Sequence, residues 1–305
     1  MKVRKTLTDE EHIFFCIAGH IMDMAIPDAF DWEQLLPSFS DFRCSFSEKQ
    51  DVMCSIRIVE KPIDCELASA KVLSEVSEVF GHWFRLMETD HNYIIDVQFV
   101  KNGNRYRMIT DKTFSMATAY VDRKEEYAAN ILSLFLMILF AQSAVLHKTI
   151  MLHASVVEKD QKGYVFMGKS GTGKSTHSRL WMKYIEGTDL LNDDNPAVGI
   201  EEDGIVYVYG APWSGKTPCY KNRKIPLQAI IRLEQAPVNH FKKETGVNAL
   251  ITLLPGCSSM RWSTLLYTEM CNLLEEIINK VKIGYLACLP DKEAALLCYE
   301  EVKKL

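Results

Sequence analysis

The sequence predicts an α/β chain (α+β overall), with a β-rich meander domain over residues 1–123 and a phosphate-loop domain over 124–305. Three observations predict it. The first half is a series of short runs that alternate apolar and polar residues and are rich in β-branched and aromatic side chains. A long uncharged run at 128–146 separates the halves. Beyond it, an apolar strand runs into the glycine-rich turn Gly168–Gly173, which opens a helix.

In chain order, "FRCSFSE", "VMCSIRIVE", "HWFRLMET", "NYIIDVQFV" and "RYRMITD" read as strands, and "ASAKVLSEVSEVF" at 68–80 reads as a helix. The turn sequences "TDHN" at 89–92 and "KNGN" at 101–104 separate strands, and Asn102-Gly103 signals a hairpin. The pattern is an antiparallel meander without a cluster of chemical residues, suited to a scaffold, recognition or partner role. The run Ala128–Leu146 has the composition of a membrane span. It is at the short end for crossing about 30 Å of hydrocarbon, and Gln142 and Ser143 interrupt it. A buried connecting helix over 124–147 is the expectation.

Two strands follow in "TIMLHASVVEKDQKGYVFMG", broken by a polar turn ending at Gly163, with a helix from Ser175 to about Glu186. "TDLLNDDNPAV", "GIVYVYG" and "IPLQAIIRLE" read as further strands. "LLYTEMCNLLEEIINKVK" and "DKEAALLCYEEVKKL" read as amphipathic helices.

The 305 residues carry a net charge of −5, which argues against a nucleic-acid partner. Nine cysteines without a Cys-x-x-Cys pair fit neither a disulfide framework nor a zinc site. They suit a reducing compartment. The N-terminal stretch has no cleavable apolar core. The expectation is a cytoplasmic protein with no membrane partner, for which a homo-oligomer is compatible with the sequence.

The turn "GKSGTGKST" carries the chemistry. Gly168, Gly171 and Gly173 allow the backbone to approach phosphate oxygens, and the helix N-terminus faces them with its positive end. Lys174 is placed to reach the β- and γ-phosphates, and the Ser175 hydroxyl to ligate Mg²⁺. Asp193 and Asp194 end the next apolar strand and so share the sheet edge with the turn. One carboxylate there can hold Mg²⁺, while the second accepts the proton of an attacking hydroxyl. Asp-Asp-Asn-Pro is also strong turn chemistry.

Taken together, "LHASVV", "GKSGTGKST" and "LNDDNPAV" resemble the catalytic core of the HPr kinase/phosphorylase family and its HPr-kinase-like relatives. That core is also related to ATP-dependent phosphoenolpyruvate carboxykinase. The match runs through His153, Gly168, Ser170, Gly171, Thr172, Gly173, Lys174, Ser175, Thr176, Asp193 and Asp194. "YGAPWSGKTP" and "IPLQAIIRLEQAP" are similar to the same relatives. The resemblance implies a P-loop domain with a mixed sheet and a kinase using ATP and Mg²⁺. Its acceptor would be a hydroxyl of a protein, peptide or small molecule. Lys174, Ser175 and Thr176 would handle phosphate and metal, Asp193 and Asp194 would divide metal contact and base work, and His153 would lie beside the reacting phosphate. The alternatives are a nucleotide-binding regulatory or peptide-binding module without phosphotransfer, or a simple NTPase. The carboxykinase ranks lower, because the chain is short for that enzyme and shows no oxaloacetate-binding arginine set.

Around this core, Lys216 is a candidate contact for nucleotide or acceptor, with Trp213 as a stacking face. Lys221, Arg223 and Lys224 form a basic cluster, and Arg261 is a candidate acceptor contact.

Overall fold

Alternation of buried and exposed residues along short strands builds the first half of the chain, seen in a computed structural model. The structure describes residues 10–304 except 66, 68, 78–82 and 216. The chain divides into two compact units, Met1–Ser143 and Ala144–Leu305.

In the first unit, β1 (Glu10–Ile17) and β2 (His20–Pro27) form a hairpin through Ala18 and Gly19, both at positive φ. The short helix α1 (Trp32–Leu35) is capped by the Asp31 carboxylate, which accepts from Gln34 N. There follow β3 (Val52–Val59), β4 (Lys71–Ser77), β5 (Trp83–Glu88), β6 (Asn92–Gln98), β7 (Tyr106–Asp111) and β8 (Met116–Tyr120). Among the described residues the sheet order is β1-β2-β3-β8-β7-β6-β5-β4. The run from β5 to β7 is the expected antiparallel meander, with Asn102 at positive φ in the β6–β7 turn, and β4 and β8 extend it on either side. The sheet as a whole is mixed, because β3 lies parallel to both β2 and β8.

Two local expectations are corrected. "FRCSFSE" makes only an isolated bridge, Phe15 to Arg43, while Phe42 is buried in a short 3-10 turn. The helix expected at 68–80 is instead the edge strand β4 over its described part, residues 78–80 lying outside the described residues. Cross-strand partners decide this. Glu75 accepts from Trp83 Nε1 (2.9 Å) and pairs with Arg85 (3.1 Å) on β5.

Helix α2 (Ala128–Ser143) packs on β3 and α1, and Ser143 Oγ donates to Met53 O at 3.3 Å. The run Ala128–His147 is long and apolar enough to cross a membrane, yet 61% of its most apolar window is buried within protein. This helix groups with the first unit rather than the second, so the division falls one helix later than the expected 123/124 boundary.

The second unit begins with β9 (Thr149–Met151), β10 (Ala154–Lys159) and β11 (Lys162–Met167), then α3 (Lys174–Tyr184), β12 (Thr188–Asp194), β13 (Ala197–Ile200) and β14 (Val206–Tyr209). It continues with β15 (Lys224–Gln235), β16 (His240–Glu244), α4 (Gly246–Leu253), α5 (Thr264–Ile278), β17 (Lys282–Cys288) and α6 (Lys292–Lys304). The turn joining β10 to β11 is Asp160-Gln161, both at positive φ, and Gly163 is already inside β11. Three strands therefore stand where two are expected, since β9 leaves to pair with β13.

Among the described residues the order is β12-β10-β11-β15-β14-β13-β9, with β17 on β15 and β16 on β17. The pairs β11–β15 and β15–β17 are parallel and the rest antiparallel, so this sheet is mixed too. Successive residues of β11 enter opposite cores. Val165 and Met167 pack with Leu253, Leu273 and Ile277 from α4 and α5, and Phe166 packs with Trp181 and Cys298 from α3 and α6. A strand covered on both faces is apolar throughout, which explains "YVFM".

Candidate functional site

Register assembles the site. Asp194 of β12 lies opposite Ala154 of β10, which lies opposite Met167 of β11, then Arg232 of β15 and Tyr285 of β17. One cross-strand row thus places the start of β10 and the carboxyl ends of β11 and β12 at a common sheet edge. The residues beyond that row are His153, Gly168 and the turn that opens α3.

Gly168 leaves β11 where a Cβ would stand 2.5 Å from Thr172 Oγ1 and 3.0 Å from Leu233 O, so only glycine fits. Gly173, at φ +99°, redirects the chain into α3. Between them, Thr172 N and Oγ1 both donate to Lys169 O (3.1 and 2.7 Å), and Gln235 Nε2 donates to Gly171 O (3.1 Å). Ser170 is exposed at the tip, while Ser175 and Thr176 are half-buried in the first helical turn.

Lys174, the first helical residue, is only 8% exposed. Its ammonium turns back over the loop and donates to the carbonyls of Gly168 (3.1 Å) and Lys169 (3.5 Å). Burial pulls its pKa down, against the opposing pull of Asp194 and Asp193.

The two acids differ. Asp193 is 2% exposed, and its Oδ2 is buried with no hydrogen-bond partner. Asp194 is half-buried; its Oδ1 lies 3.2 Å from His153 Nδ1, and its Oδ2 accepts from Asn195 Nδ2 at 2.7 Å. The Asp194 backbone sits at φ +135°, unusual for a residue with a side chain. Ser214 Oγ (3.0 Å) and Gly215 N both donate to Asp193 O, which lays the 214–215 turn across the pair. His153 is fixed through its backbone N, which donates to Gly256 O at 2.8 Å. Burial and the charge of Lys174 lower the His153 pKa, while Asp194 opposes them, so the ring is neutral near neutral pH.

Lys174, His153, Asp194 and Asp193 therefore lie within one electrostatic neighbourhood. An unpartnered buried carboxylate oxygen is costly unless a cation offsets it. Among the described residues no group of three or more His, Cys, Asp or Glu forms a ready-made metal cage. The donor set of Ser175, Asp193 and Asp194 fits Mg²⁺, which is commonly held by one or two carboxylates plus substrate phosphates.

Reading the sequence alone missed Asn192. It is fully buried, and its amide donates to the carbonyls of Ala211 (3.2 Å) and Trp213 (3.1 Å) while its Oδ1 accepts from Asn195 N (3.2 Å). It thereby holds the acid turn and the 211–217 segment together. The available signal is an amide in the middle of an apolar strand. Ser155, opposite Asp193, was missed as well; its Oγ lies 2.6 Å from Ser178 Oγ and ties β10 to α3.

The outlying candidates fare differently. Trp213 is 5% exposed and offers no open stacking face; its backbone carbonyl accepts from Asn192 Nδ2. The basic cluster is neutralised: Lys221 pairs with Asp189, Arg223 with Glu158 and Lys224 with Glu201. Lys216 lies outside the described residues. Arg261 is exposed and donates to Leu254 O at 3.4 Å.

No family model matches the chain, and no curated protein matches it. A solved structure of the Hpr(Ser) kinase/phosphatase from Coxiella burnetii is similar at 15% identity, over 50% of this chain and 94% of that one, with a TM-score of 0.30.

Proposed function

We propose that this chain is an ATP-dependent kinase of the HPr-kinase-like type, which transfers the γ-phosphoryl group to a hydroxyl of a protein, peptide or small molecule. One observation carries the reading: Lys174, buried at the mouth of a glycine turn, shares its electrostatic surroundings with a carboxylate pair and a neutral histidine. A site that only binds nucleotide needs the turn and the lysine. A histidine–aspartate pair beside them adds a proton acceptor.

In the transfer, the acceptor oxygen attacks the γ-phosphorus. The bond to the β,γ-bridging oxygen breaks, and ADP leaves with that electron pair. The hydroxyl proton passes to the Asp194 carboxylate, which His153 orients from 3.2 Å. Lys174 offsets charge on the β- and γ-oxygens, and the backbone N–H groups of the turn and first helical residues cradle them. With Asp194 taking the proton, the Ser175 hydroxyl and Asp193 would hold Mg²⁺, which would supply charge neutralisation on the phosphates.

The test is labelled ATP with a cell extract as the acceptor source, alongside three variants. Lys174→Ala is expected to abolish ATP turnover. Asp193→Asn and Asp194→Asn are expected to keep nucleotide binding and to lower transfer by about a hundred-fold or more. Label appearing only as free phosphate would make the protein a hydrolase, and full activity in all three variants would remove the mechanism.

A further inference from the structure

Two clefts adjoin the glycine turn; they share Gly171, Thr172, Leu233 and Gln235, and differ in the remaining residues around them. One, of ≈ 330 Å³, opens between α3 and the end of β17; Leu180, Leu233, Leu289 and Pro290 form its apolar walls, and Gly171–Gly173 its inner rim. The other, of ≈ 360 Å³, is bordered by Lys169, Ser170, Arg232 and Glu234. From the first cleft, and on the premise that the turn holds a nucleoside triphosphate, we infer that the nucleoside sits against Leu180 and Leu289. The triphosphate then crosses the glycine turn toward Asp193 and Asp194.

Strand order gives the direction. From the turn after β11, the acids lie on the side of β10 and β12, and the apolar cleft lies on the side of β15 and β17. A triphosphate with its terminal group near Lys174 and the acids must carry its base away from them, and the apolar cleft is on that far side. Its volume is at the low end of small-molecule pockets, large enough for a nucleoside and too small for a bulky acceptor. In the second cleft, a base would displace water from Lys169, Arg232 and Glu234 without replacing their hydration.

The walls are braced. Leu289 N donates to Asn239 Oδ1 at 2.7 Å and Cys288 O accepts from Ala236 N at 3.1 Å, fixing the β17–α6 corner. Gln235, whose amide holds Gly171 O, joins the cleft floor to the phosphate turn. Leu289 is 40% exposed at the cleft, a large apolar side chain that a base would cover.

Calorimetric titration with MgATP and, separately, with inorganic tripolyphosphate and Mg²⁺ tests the inference on the full chain. Leu289→Ser is expected to weaken ATP by about ten-fold while leaving tripolyphosphate unchanged, because it removes apolar contact alone. Leu180→Ala, on the opposite wall, is expected to do the same and guards against a local folding defect at the β17–α6 corner. Lys174→Ala is expected to lose both ligands. Wild-type ATP affinity in both leucine variants, with Lys174→Ala still defective, would overturn the nucleoside placement and leave the kinase reading standing. Failure of the wild-type protein to bind either ligand would overturn both.

Discussion

Asp194 concentrates the site's conflict in one residue. Its side chain meets His153 and Asn195, and its backbone is held at φ +135°, a conformation that costs about 1–3 kcal/mol for a residue with a Cβ. Strain of that size persists only where neighbours enforce it. Here Ala154 pairs with Asp194 on one side, Ser214 bridges it on the other, and a Cβ added at Gly215 would stand 3.2 Å from that of Asp194, a crowding that the glycine avoids. Asp194→Gly removes the proposed proton acceptor and the backbone strain together. Phosphoryl transfer is expected to fall by about a hundred-fold or more, while the melting temperature holds or rises. A melting temperature several degrees lower would show that the side-chain contacts outweigh the strain.

At the scale of elements, α3 opens directly from the glycine turn and carries a pH-sensitive anchor. His177 is 3% exposed, stacks edge-on against Phe166, and accepts from Trp181 Nε1 at 3.1 Å through Nε2, which burial keeps unprotonated. Its pKa is pushed down to about 4. Between that value and the unfolded value near 6.5, the unfolded chain binds the extra proton, so stability falls as pH drops through this window. The loss is about 3 kcal/mol by pH 4 relative to neutral pH. Denaturant titrations at pH 7 and pH 4.5 are expected to show a smaller acid loss in His177→Gln than in the natural sequence, and equal losses would contradict the burial argument. The glycine turn itself was legible as a strand–turn–helix because its glycines, lysine and serine fall within the eight residues 168–175 and the apolar strand before it is covered on both faces. Asp193 and Asp194 were legible as a strand end facing the same edge. Strand β4 was not, since Val72, Leu73 and Val76 mimic helical spacing and only contacts from Trp83 and Arg85 on β5 select the extended form. The pairing of Lys221, Arg223 and Lys224 was hidden for the same reason: their carboxylate partners are 23 to 65 residues away in the chain.

The whole chain consists of two units, each with its own mixed sheet and its own buried apolar residues, the second with an apolar core on either face of its sheet, and only the second carries the glycine turn and the acids. A ligand that binds one folded unit stabilises that unit through mass action, by about 2.7 kcal/mol at a hundred times its dissociation constant. For a unit of this size each kcal/mol moves the midpoint by about 2–4 °C. Calorimetric unfolding is therefore expected to resolve two transitions, of which MgATP raises one by about 5–10 °C and leaves the other in place. Lys174→Ala should abolish that shift without merging the transitions. Leu289→Ser should reduce it at fixed ATP, because a ten-fold weaker ligand gives up about 1.4 kcal/mol of linkage. A single transition displaced as a whole by MgATP would mean that the first unit's stability depends on the second, and the nucleotide would then act on the entire chain rather than on the unit that holds it.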